Sequence, residues 1–84
     1  MADEVSWLVV ERGWEVVDRD ARSIGRVERV LGDEDKDIFD GLAVATKLIG
    51  KARYVPAERV TSIVDGRVTL DLTHDEADRL ETVP

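Results

Sequence analysis

The sequence predicts a mostly β domain: a small antiparallel barrel or rolled sheet of five or six short strands, followed by one C-terminal helix. Three observations predict it. Short β-forming runs recur along the chain, broken by glycine and aspartate. An Asp65-Gly66 pair stands between two such runs, as in a β-hairpin. Thr73-His74-Asp75-Glu76 has the form of a helix capping box and comes after the last run.

The first strand is expected at Trp14-Glu15-Val16-Val17, and Asp18-Arg19-Asp20-Ala21-Arg22 after it reads as a turn, because aspartate favours turn conformations. The run from Ile24 to Leu31 is ambiguous. Its apolar residues at 24, 27, 30 and 31 have helical spacing, whereas Gly25, Gly32 and the β-branched content favour a strand. A strand with a bulge or strong bend near Gly25 is the reading adopted. Residues 38–45 form the third strand, with Ile38, Leu42 and Val44 on one side. Arg53-Tyr54-Val55-Pro56 is extended, since proline disfavours helix at the residue before it. Pro56 has no N–H for a ladder bond and belongs at an edge or strand end. In the hairpin, Val68, Leu70 and Leu72 alternate with Arg67, Thr69 and Asp71, and a type I′ turn at Asp65-Gly66 is expected. Thr73 caps a helix running to about Glu81, with Ala77 and Leu80 inward.

Composition bounds the function classes. An 84-residue chain allows one domain with a small core, for which pairing with a second copy is a common source of stability. Hydrophobic residues at 43% and charged residues at 37% describe a globular chain. With no cysteine, disulfides, thiolate chemistry and cysteine-based zinc sites are excluded, which fits a cytoplasmic setting. No apolar run nears the roughly 20 residues that span a bilayer, and no secretory leader is evident. A net charge of −7 opposes binding to nucleic acid or anionic lipid. The charge is uneven: residues 33–37 and Asp40 are acidic, whereas Lys47, Lys51 and Arg53 fall in a stretch without acids.

In order and spacing, several segments resemble the PRC-barrel family. They are Gly13-Trp14-Glu15-Val16-Val17-Asp18, Ser23-Ile24-Gly25-Arg26-Val27, Ile38-Phe39-Asp40-Gly41-Leu42-Ala43-Val44, Arg53-Tyr54-Val55-Pro56-Ala57-Glu58-Arg59-Val60 and Asp65-Gly66-Arg67-Val68-Thr69-Leu70. The resemblance implies a β-barrel of roughly six strands in a family whose named members dock on larger assemblies. Those members are the cytoplasmic part of a photosynthetic reaction-centre subunit and a domain of a ribosome maturation factor. This chain is expected to lack the membrane helix of the one and the added N-terminal domain of the other. The expected organisation is an arm or extra strand over 1–12, a PRC-barrel-like domain over 13–72, and a helix with a tail over 73–84.

No catalytic, cofactor or metal site is expected. His74 is the only histidine, and beside Asp71 and Asp75 it reads as an exposed first-turn residue. Ser6, Ser23 and Ser62 lack a nucleophile-elbow setting. Asp33, Asp35 and Asp37 alternate as in a calcium loop, but Ile38 and Val44 occupy its glycine and closing glutamate positions. Gly50-Lys51 fails as a phosphate loop, with Ala45 and Ala52 at required positions. What remains is Val5-Ser6-Trp7-Leu8-Val9-Val10, the most apolar stretch. Trp7, Leu8 and Val9 are expected to be a contact segment, and Lys47, Lys51 and Arg53 a further partner contact. The function expected is a non-enzymatic interaction or scaffold module, self-associating as a homodimer. The alternatives are a small-ligand or ion-binding regulatory barrel and a ribosome-assembly type of accessory factor.

Overall fold

The structure, a computed structural model, describes residues 4–46 and 52–83. Six strands form one curled sheet: β1 Glu15–Val17, β2 Ser23–Asp33, β3 Ile38–Thr46, β4 Arg53–Pro56, β5 Val60–Val64 and β6 Arg67–Leu70. Their order is β4-β3-β2-β1-β6-β5, and one helix, α1 His74–Asp78, follows them. The mostly β architecture with a short C-terminal helix is as the sequence predicts. Among the described residues, no helix is long and apolar enough to cross a membrane.

Two details differ from a closed antiparallel barrel. The sheet is mixed, because β1 and β6 run parallel, with Val16 opposite Val68. It is also open, with β4 and β5 as its two edges. Both follow from the connection between β4 and β5. In a meander every link reverses direction. Here Pro56 (φ −61°) leads into a 3-10 turn, Ala57–Arg59, and the chain steps sideways without reversing. β6 therefore meets β1 pointing the same way.

That short link also forces the curl. In a flat six-stranded sheet the outer strands would lie about 24 Å apart, at about 4.8 Å per gap. The four residue steps from Pro56 to Val60 reach at most about 14 Å. The edges must bend toward one another, and the apolar residues on the concave side become the core. Val16, Leu42, Val44, Val55, Val68 and Leu70 are fully buried there. Ala77 from α1 and Leu72 join the same cluster, and Leu80 packs against it.

β2 resolves the ambiguity of the 24–31 run. It is a strand in which Ile24 is skipped between the pairs Val17–Ser23 and Val16–Gly25. Glu28 is skipped in the same way between Val27 and Arg29. Each extra residue flips the phase of the pleat, so Ile24, Val27 and Val30 all turn to the core despite their spacing of three. At Gly25 and Gly41 the neighbouring strand passes so close that a Cβ would run into the Ala45 and Val55 carbonyl oxygens.

The hairpin β5–β6 turns at Asp65-Gly66 as expected, but not in a type I′ turn. Only Gly66 has positive φ (+84°), the pattern of a type II turn. Pro56 ends β4, which is an edge strand. α1 begins at the predicted capping box, with the Thr73 hydroxyl accepting from Glu76 N and Glu76 Oε1 accepting from Thr73 N. It ends at Asp78, short of the predicted Glu81.

Candidate functional site

The described part of the N-terminal arm lies along the edge of β5. The Val5 N–H donates to the Ile63 carbonyl at 2.8 Å, and Glu4 bridges Val64 in antiparallel fashion. The arm then turns away in a 3-10 turn, Trp7–Val9, capped by the Ser6 hydroxyl, which accepts from Leu8 N. This turn lays Trp7 on Phe39 at the start of β3. The ring centroids are 5.3 Å apart and the planes differ by 11°, a stacked pair. The indole N–H donates to Asp37 Oδ1 at 2.9 Å. Asp37 is held in the left-handed region (φ 53°) at the end of the acidic loop, directly before β3.

A groove of about 240 Å³ runs beside this stack. The arm residues Glu4, Val5 and Trp7 form one wall, and β5 residues 60–63 form the other. Phe39 and Ala57 complete its lining, and among the described residues Glu4 is the only ionisable one there.

Trp7, Leu8 and Val9, singled out in the sequence, thus sit on one turn with different exposures. Trp7 is half-buried on Phe39, whereas Leu8 and Val9 are 47% and 50% exposed. Ile38, which precedes Phe39, is likewise a large exposed hydrophobic at 48%. Arg53 is half-buried, and its guanidinium donates to the Leu80 carbonyl at 2.7 Å. Lys47 and Lys51 lie outside the described residues. The sequence reading missed Phe39 and Asp37 as the partners of Trp7. Only the separate apolar and acidic labels of these residues were visible in the chain.

The other candidates are brought together with little to act on. His74 Nδ1 lies 3.6 Å from Asp78 Oδ2, and Asp75 completes a group of three metal-capable side chains, all exposed. Asp33 Oδ1 accepts from the N–H groups of Asp35 and Lys36, so it organises its own loop. Glu76 is held below its ordinary value of 4.5, first by the Thr73 backbone N–H and then by the Thr73 hydroxyl.

Together these features define a small curled-sheet domain with an aromatic groove along its last edge strand. The chain belongs to the family described as uncharacterized protein conserved in bacteria (DUF2171), whose model matches residues 10–78. The matched span covers all six strands and α1 and begins just after Trp7–Val9. A search of curated proteins finds no match.

Proposed function

We propose that this chain is a non-enzymatic protein-interaction module that self-associates through the Trp7–Val9 turn, as docking proteins of the PRC-barrel type use a small β domain. One observation carries the reading. Among the described residues, the large exposed hydrophobics Leu8, Val9 and Ile38 all lie on the two segments that the Trp7–Phe39 stack joins. Scattered apolar side chains on a surface need no explanation, but their concentration on one small feature favours a contact. Trp7 supplies a rigid base, and the two aliphatic side chains on its turn supply the area that a second copy would cover.

The groove beside Trp7, at about 240 Å³, is smaller than the 300–1,000 Å³ usual for a small-molecule site, which favours a protein contact there.

The test separates docking from folding. Leu8→Asp places a charge on an exposed side chain that makes no core contact. The expected result is a halved mass in light scattering, with the circular dichroism spectrum and thermal midpoint unchanged. An unchanged mass overturns the self-association. Trp7→Asp is the poorer probe, since it also removes the stack on Phe39 and detaches the arm from within.

A further inference from the structure

We infer that the groove beside Trp7 takes an extended, lysine- or arginine-bearing segment of a partner protein, added as a strand to the free part of β5. The inference rests on the reading of the chain as an interaction module and names the chemistry of what it binds.

The first support is the way the groove meets β5. Side chains of a strand alternate between its two faces. β5 breaks that alternation at Thr61, which is skipped between Val60 and Ser62 in the pairing with β6. Residues 60–63 line the groove on one side, and the arm that bonds Ile63 lines it on the other. The groove therefore lies along the edge of β5 that faces the arm. β5 is the last strand of the sheet, with β6 on its other side. The arm reaches only the far end of that edge, pairing at Ile63 and Val64 before it turns off at Trp7–Val9. An edge left open beside a side-chain pocket is the geometry of recognition by strand addition, in which the backbone provides affinity and the pocket chooses alternate side chains.

The second support is charge. Glu4 is in the lining, and among the described residues no lining residue is cationic. Asp37 is bonded to the indole edge of Trp7, and it closes an acidic loop with Asp33, Glu34 and Asp35. A lysine or arginine side chain fits both halves of this setting. Its methylene stem lies on Trp7 and Val60, and its charged end reaches the carboxylates. A segment bearing glutamate would meet repulsion there, as the chain's charge of −7 already implies.

The experiment titrates the 15N-labelled full chain with a capped pentapeptide of alternating valine and lysine. A pentapeptide of alternating valine and glutamate is the comparison. The Leu8→Asp chain is used alongside the native one, so that self-association and groove binding are read separately. If Leu8→Asp leaves the mass unchanged, the self-association has failed and the titration still reports on the groove. The expected result is shifts at the Trp7 indole N–H and at the Thr61 and Ser62 amides with the lysine peptide alone. They should weaken in 0.5 M salt. Glu4→Lys should weaken lysine-peptide binding by up to about fivefold and favour the glutamate peptide. Absence of shifts, equal binding of the two peptides, or shifts confined to other strands would each overturn the inference.

Discussion

Asp18 shows how one side chain organises a connection. The sequence marks residues 18–22 as a turn, and the structure explains which aspartate makes it. Asp18 is fully buried, and its Oδ1 accepts from the N–H groups of Asp20 (2.8 Å) and Arg22 (2.9 Å). With these donors fixed, the chain can pass Ala21 through the left-handed region (φ 66°) and enter β2 in register. The second oxygen, Oδ2, is buried and finds no donor among the described residues. The geometry of one acceptor therefore matters more than the charge. Asp18→Ala should cost about 2 kcal/mol in urea unfolding, from two N–H groups losing their partner. Asp18→Asn keeps an acceptor at the Oδ1 position and should cost less than about 1 kcal/mol. Equal losses would mean that the charge, and not the acceptor, holds the turn. Burial of this aspartate was not legible in the sequence, because an aspartate in a polar turn reads as solvated. It is inside because the Arg19 N–H donates to the Leu72 carbonyl and draws the turn onto the chain beyond β6.

At the scale of elements, legibility followed the range of the cause. The capping box is local: Thr73 and Glu76 satisfy each other within four residues, and the sequence reveals it directly. β2 is the opposite case. Its helical spacing of apolar residues results from two bulges, and a bulge is defined by the partner strand, which the sequence does not supply. The parallel β1–β6 pair was hidden for the same reason. It depends on the direction in which a three-residue turn delivers the chain to the far edge of the sheet. The candidate site divides likewise, since Trp7 was visible but its stack on a residue 32 positions away was not. The capping box also makes a pH prediction. The carboxyl of Glu76 is lowered from 4.5 in the folded chain, by the Thr73 bonds first and by Arg59 to a smaller degree. A depressed carboxyl stabilises the fold fully above its unfolded value, and that contribution is lost as the pH falls through the folded value. Native protein should therefore have a higher thermal midpoint than Glu76→Gln above about pH 5, and the gap should close as the pH falls through the lowered folded value. A constant gap over that range would remove the carboxylate from the account.

For the whole molecule, the problem posed by an open sheet is what covers its edges. Unpaired edge strands invite association, and this sheet has two of them, β4 and β5. The two terminal segments treat them unequally. Along β5 the described part of the arm makes one backbone bond, from Val5 to Ile63, and an isolated bridge from Glu4 to Val64, with the groove beside them. Along β4 the cover is more complete. The Tyr54 N–H donates to the Glu81 carbonyl and the Val83 N–H to the Ala52 carbonyl, each at 2.7 Å, and Arg53 bridges Thr82. The Arg53 guanidinium pins the Leu80 carbonyl, which anchors the tail where it leaves α1. The asymmetry gives the β4 edge a cover and leaves the β5 edge for the docking proposed above. Ending the chain after Arg79 should then remove three backbone bonds, the Arg53 guanidinium bond to the Leu80 carbonyl and the partial burial of Leu80, about 3–5 kcal/mol in all. That is a large share of the 5–15 kcal/mol typical of a domain, so the shortened chain should still fold at 25 °C but with a lower urea midpoint. It should also form species larger than the native assembly, because the bared β4 edge is a second, unblocked place to pair. Leu8→Asp in the shortened chain should not reverse that growth, since the new contact does not use the Trp7–Val9 turn. A shortened chain with the native midpoint and mass would show that the tail is no cover, and that β4 is kept from pairing by its own side chains.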